Sequence, residues 1–181
     1  MESFGIRIYK EYFNFAAAHF LIFEDGTREE LHGHNYQVAM QIEGTLAEGQ
    51  DMFIDFLHIK PIVKKVCDEI DHLTLLPQFS RFLEVIDHGD SIEALYNTDR
   101  WVFPKRDTLI LPIPNTSAER LAQYLCQRSL QALSLKYPTA SIQHVEMTVE
   151  ESRGQCALYR LTFEAPKRLT DILENQCIRS H

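Results

Sequence analysis

From Tyr36 to Ile42 the chain places apolar side chains at every second position, Tyr36, Val38, Met40 and Ile42, with Gln37 and Gln41 between them. A helix cannot gather such a pattern on one side, whereas one face of a strand collects residues i, i+2 and i+4. The segment therefore predicts a half-buried strand and commits the chain to a sheet. The residues that enter it read His32, Gly33, His34, so two imidazoles project from the same strand face.

The rest of the chain supplies partners for that strand. Residues 4 to 15 mix aromatic and β-branched types with partial alternation, which predicts a first strand. Residues 20 to 31 carry Glu24, Asp25, Gly26, Thr27 and Arg28 and read as a loop joining the two strands. Ile59, Ile62, Val63, Val66 and Ile70 recur at helical spacing after Asp55, with Pro61 expected in the first turn, predicting a helix over about 56 to 70. A second helix is expected from Ser117, a hydroxyl suited to capping it, to about Lys136 before Pro138. Val145, Met147 and Val149, then Tyr159, Leu161 and Phe163, alternate as two closing strands with Gly154 in the connection. The expected order is ββααββ. That is an α+β fold of one antiparallel four-stranded sheet with two helices on one face. A single domain spans 1–181 on this reading, with residues 77 to 114 as an insertion between the helices.

Composition narrows the function classes. A formal charge of −8 without a Lys/Arg cluster disfavours nucleic acid, whose phosphates need a basic footprint. The longest apolar run, near Phe15 to Phe23, is broken by His19 and falls short of the ~20 residues that cross a bilayer. No secretory leader is recognisable, so a cytoplasmic protein is expected. Cys67, Cys126, Cys156 and Cys177 form no CxxC pair and read as free, buried thiols.

If the first two strands pair as a hairpin, His19 at the end of the first lands beside His32 and His34. Three imidazoles suit zinc, and three protein ligands leave a fourth position for water or substrate, as in catalytic sites. Taken singly, His32 and His34 read as solvent-facing strand residues and His19 as a satisfied core histidine; it is their joint placement that favours a metal. His58, His88, His144 and His181 lack such company and read as structural or surface groups.

Four words then point to a family. Phe-Ala-Ala-Ala-His at 15–19, His-Gly-His-Asn-Tyr at 32–36, Ile-Asp-Phe at 54–56 and Asp-His-Leu at 71–73 resemble 6-pyruvoyl-tetrahydropterin synthase and its relative 6-carboxytetrahydropterin synthase. The resemblance covers roughly residues 4 to 165 outside the insertion. It implies the tunnelling fold, in which a trimer closes a β-barrel, two trimers stack as a homohexamer, and pterin sites lie at subunit interfaces. It implies Zn2+ on His19, His32 and His34, an Asp71–His72 pair relaying protons, and a late glutamate gripping the pterin. That glutamate maps to Glu151, with Glu150 as the alternative register. A carboxylate can accept two parallel hydrogen bonds from a pterin's amine and ring N–H. Glu119 and Ser117, at the second helix's start, are further substrate-binding candidates, although dipole and capping chemistry also account for them.

One departure is informative. Both synthases carry a catalytic cysteine just before His-Gly-His, where this chain reads Thr27-Arg28-Glu29-Glu30-Leu31. Glu29 is the candidate replacement and Glu30 the alternative. A free carboxylate titrates near 4.3 and a free thiol near 8.5, so the exchange changes the base. The wording at 28–36 resembles a subgroup associated with cleaving the side chain of 7,8-dihydroneopterin triphosphate to 6-hydroxymethyl-7,8-dihydropterin for folate synthesis. Formation of 6-carboxy- or 6-pyruvoyl-tetrahydropterin is the first alternative, and a non-enzymatic pterin- or purine-binding oligomer with structural zinc the second. Lys105 and Arg106 in the insertion are anion-contact candidates whose plainer reading is solvated surface charge.

Overall fold

The computed structural model describes residues 2–177. The long strands β1 (Phe4–His19) and β2 (His32–Thr45) pair antiparallel from Phe4↔Gly44 to His19↔His32. A register shift between Tyr9 and Asn14 breaks the ladder, and the Gln37 side chain donates to the Lys10 and Phe13 carbonyls there. The alternation at Tyr36 to Ile42 has its expected result: all four apolar side chains are buried, opposite the buried Phe13 and Phe15 of β1.

Helix α1 (Phe56–Asp68) starts where Asp55 accepts the Leu57 amide, a cap worth about 1 kcal/mol. It buries Ile59, Val63, Val66 and Cys67 against the sheet. Ser117 caps helix α2 (Ala118–Ser134) by accepting the Arg120 amide, and Leu121, Leu125 and Leu130 join the same core. Strands β8 (Ser141–Ser152) and β9 (Gln155–Arg168) extend the antiparallel ladder from β2. A terminal helix α3 (Leu169–Cys177), which the sequence reading did not expect, packs Leu169 and Ile172 into the core.

The four-stranded antiparallel sheet and the ββααββ order are corrected. The main sheet has six strands in the order β7-β3-β1-β2-β8-β9 and is mixed, because β3 (Leu73–Pro77) runs parallel to β1 and to β7 (Thr108–Leu111). Leu75, Leu76 and Leu111 are fully buried in these short strands. Strands covered on both faces read as continuous apolar runs, so an alternation search passes over them. The insertion also folds. Its β4 (Glu84–Asp87), β5 (Ser91–Tyr96) and β6 (Asp99–Pro104) form a three-stranded antiparallel sheet, followed by a 3-10 turn at Lys105–Asp107. This sheet closes a second hydrophobic cluster with Phe20, Ile22, Leu76, Leu83 and Ile92. No helix among the described residues is long and apolar enough to cross a membrane.

Candidate metal centre

The β1/β2 pairing sets His19 opposite His32 and Ala17 opposite His34, so three rings meet on one face. One ligand atom from each of His19, His32 and His34 lies within 4.8 Å of the others. Gly33 keeps the strands close: a Cβ there would stand 3.1 Å from the Ala17 carbonyl oxygen.

Two of the rings are oriented by backbone carbonyls. His19 Nδ1 lies 3.0 Å from the Thr116 carbonyl and His32 Nδ1 2.7 Å from that of Glu30. A carbonyl only accepts, so both Nδ1 atoms carry the proton and both Nε2 lone pairs remain for a cation. This second layer of hydrogen bonds is the usual support of metal-bound histidine. Burial pushes the His19 pKa below its ordinary value against the opposing pull of the Thr116 carbonyl and Glu151, and the other two imidazoles push the same way as burial. A buried ring kept neutral is ready to ligate. By donor chemistry and tautomer the triad could hold a divalent metal with an open coordination position.

Around it stand carboxylates. Glu151 Oε1 is 3.4 Å from His19 Nε2 and 3.7 Å from His34 Nε2. Tyr36, stacked on Phe15 with centroids 4.6 Å apart, places its hydroxyl 2.9 Å from His19 Nε2 and 3.1 Å from Glu151 Oε1. Burial foremost, then Glu151, raises the Tyr36 pKa, so the hydroxyl keeps its proton and, when it donates to Glu151, leaves the His19 Nε2 lone pair free. Glu150 turns away, accepting the Gly154 amide in the β8/β9 connection. Glu29 Oε2 is 4.0 Å from His32 Nε2 and accepts the Leu21 amide, while the Glu30 carboxylate is exposed and paired with Arg28. Of the two alternatives in each case, Glu151 and Glu29 are the ones that face the triad.

The Asp71–His72 pair stands elsewhere, beyond β1 at the start of β3. Asp71 accepts the Ala16 amide at 2.7 Å and meets His72 Nδ1 at 2.9 Å; the His72 side chain is 81% exposed. Burial opposes the Asp71 charge, but the Ala16 amide and the His72 ring outweigh it and hold the carboxyl below its ordinary range. His72 has φ +59°, a left-handed conformation. It borders a groove of about 360 Å³ whose lining includes Ala16, Gly33, His34, Asn35 and Asp107. The Ser117 hydroxyl is used as the α2 cap and Glu119 is exposed on the first turn; among the described residues neither is hydrogen-bonded to the triad.

The remaining candidates take structural places. His58 meets the Tyr137 hydroxyl, His88 pairs with Glu93 and His144 meets Thr162. Lys105 and Arg106 lie against Asp87 and Asp107. Cys67 and Cys126 are buried and their pKa values are pushed up to about 12 by burial, so neither supplies a thiolate base. Cys156 is exposed on β9, against expectation, because it alternates outward at the hairpin's end. The Cys177 side chain and His181 fall outside the described residues. Sequence reasoning missed the Thr116 carbonyl, for which a side-chain motif holds no signal, and the Tyr36 hydroxyl, because the residue counts there as an apolar strand position and a family word and not as a polar group.

A Methanocaldococcus jannaschii protein with the provisional name 6-carboxy-5,6,7,8-tetrahydropterin synthase is 33% identical over 150 residues, covering 83% of this chain and 91% of that one. Dihydroneopterin monophosphate aldolase of Pyrococcus furiosus is 40% identical over 62 residues, 34% of this chain and 51% of its own. The crystal structure of Plasmodium vivax 6-pyruvoyltetrahydropterin synthase superposes with TM-score 0.81 and 32% identity, over 90% of this chain and all of that one. A further structure of the Plasmodium enzyme replaces a glutamate described as a catalytic residue by alanine, with the same overlap. The sequence profile of 6-pyruvoyl tetrahydropterin synthase matches residues 7–162. The chain thus belongs to the 6-pyruvoyl tetrahydropterin synthase family, enzymes of pterin metabolism.

Proposed function

We propose that the chain is a zinc-dependent lyase that cleaves the side chain of 7,8-dihydroneopterin triphosphate to give 6-hydroxymethyl-7,8-dihydropterin for folate synthesis. The observation that carries this reading is Glu29: a carboxylate, not a thiol, stands at the rim of the triad, 4.0 Å from His32 Nε2. A glutamate named as catalytic in the Plasmodium enzyme and the aldolase name of the Pyrococcus relative support it.

His19, His32 and His34 would hold the zinc, which when bound supplies a Lewis acid that makes side-chain hydroxyls easier to deprotonate. Glu151, on the same face, would accept two hydrogen bonds from the pterin edge and fix the ring. Glu29 would take the proton from the second side-chain hydroxyl. The bond between the first and second side-chain carbons then breaks, leaving an aldehyde on the phosphorylated fragment. The electron pair stays on the first carbon, spread into the conjugated ring imine, until a proton from the Asp71–His72 pair quenches it. Because His72 is largely exposed and lies beyond β1, the pair would serve the site of a neighbouring copy in a homohexamer of stacked trimers.

A second reading, synthesis of 6-carboxy- or 6-pyruvoyl-tetrahydropterin, is favoured by the name of the Methanocaldococcus relative. Product analysis separates the two. Incubation of the zinc-loaded protein with dihydroneopterin triphosphate, and in parallel with the monophosphate, is expected to yield the 6-hydroxymethyl product. A 6-carboxy or 6-pyruvoyl product would overturn the assignment.

A further inference from the structure

The inserted sheet reaches the proposed base through one side chain. Arg28, immediately before Glu29, directs Nε and Nη2 at Asp99 Oδ2 on β6, at 3.0 and 2.6 Å. Its guanidinium carbon lies 4.9 Å from the Trp101 ring centroid and 5.8 Å from that of Tyr96. The third nitrogen, Nη1, donates to the Glu29 carbonyl at 2.8 Å. The Arg28 side chain is only 17% exposed, although its partner Asp99 stays open to water at 42%. A planar fork between a carboxylate, an aromatic face and a carbonyl fixes direction as well as distance, which an ammonium does not.

The segment it grips is a short hairpin. Ile22 bridges Arg28, the Glu29 amide donates to the Leu21 carbonyl, and the Leu21 amide donates back to Glu29 Oε2 at 3.3 Å. At its tip Gly26 has φ +84°, and its carbonyl accepts the Tyr96 hydroxyl of β5. The tip at Gly26 and the arm at Arg28 are thus both tied to the inserted sheet, while the Glu29 carboxylate, next along that arm, faces the triad.

We propose that Arg28, braced by Asp99 and Trp101, is a positioning residue that fixes the Glu29 carboxylate at the metal centre, and that this is what the inserted sheet contributes to the reaction. The inference rests on the proposed role of Glu29. Its test therefore includes a readout that needs no substrate.

The variants are Arg28→Lys, which keeps the charge and loses the fork, and Asp99→Asn, which keeps the shape and loses the anion. Hydrogen exchange at the Leu21 amide reports the Glu29 carboxylate directly. It is expected to quicken about tenfold in both variants while the Val38 amide in β2 stays protected. With substrate, kcat is expected to fall about tenfold at a KM within about twofold, and Arg28→Lys to cost nothing further in a Glu29→Gln background. Bound zinc is expected to stay at the wild-type ratio. Unchanged Leu21 exchange, loss of zinc or an additive double variant would each overturn the proposal, as would general loosening of β2. If Leu21 exchange quickens but no dihydroneopterin phosphate is turned over, the substrate assignment fails and the clamp on Glu29 stands.

Discussion

Strand β1 is flanked near its end by two imidazole sites built on opposite plans. On the β2 side, His19 is 1% exposed, held by the Thr116 carbonyl and the Tyr36 hydroxyl, and gathered with two other rings. On the β3 side, His72 is 81% exposed and anchored to Asp71, whose other oxygen takes the Ala16 amide. The first arrangement removes freedom from a ring, as a ligand that must hold a cation requires. The second leaves a ring free to meet something arriving from outside, as a proton donor to a bound substrate must. One strand is therefore flanked by an immobilised imidazole cluster on one side and an exposed imidazole on the other.

The sharpest way to break this contrast is His34→Ala. Losing a ligand should weaken zinc binding by more than about 100-fold, measured by competition with a chromophoric chelator. Binding as tight as wild type would mean that the three rings are not a ligand set. Next comes His72→Asn, since asparagine tolerates the left-handed backbone that His72 adopts. Turnover is expected to drop about 100-fold with zinc affinity and melting temperature unchanged; a fall in zinc affinity would erase the distinction between the two sites. The smallest effect is that of Asp71→Asn. A carboxyl whose folded pKa is depressed stabilises the fold above its unfolded value, and that contribution is lost as pH falls through the folded one. The melting-temperature gap between wild type and variant should therefore be present at neutral pH and close as pH drops below the ordinary 3.8. A gap that persists in acid would mean that Asp71 acts by shape, not charge.

Much of the centre was legible because period-two spacing carries geometry. His32 and His34 had to share a face, and pairing of the first two strands had to bring His19 to them. The helices were legible through Asp55 and Ser117 at their starts, whereas Pro61, expected in the first turn, lies inside α1. Parallel β3 and β7 were not, because Leu75, Leu76 and Leu111 are buried without alternation. Nor was the inserted sheet, whose core depends on Phe20 and Ile22, residues that the sequence assigns to a loop. The choice between Glu29 and Glu30 needed the Ile22–Arg28 bridge, a pairing within that same loop.

The exit of β1 has one more consequence. His19 turns toward the triad, and the next residue, Phe20, stacks on Trp101 in the other hydrophobic cluster, with ring centroids 5.1 Å apart. A single peptide link therefore acts as a rivet between the candidate metal centre and the accessory sheet. Repacking behind Trp101 would tug on a ring of the candidate metal centre from the far side of one peptide bond, so the accessory sheet's interior becomes a distant dial on that centre.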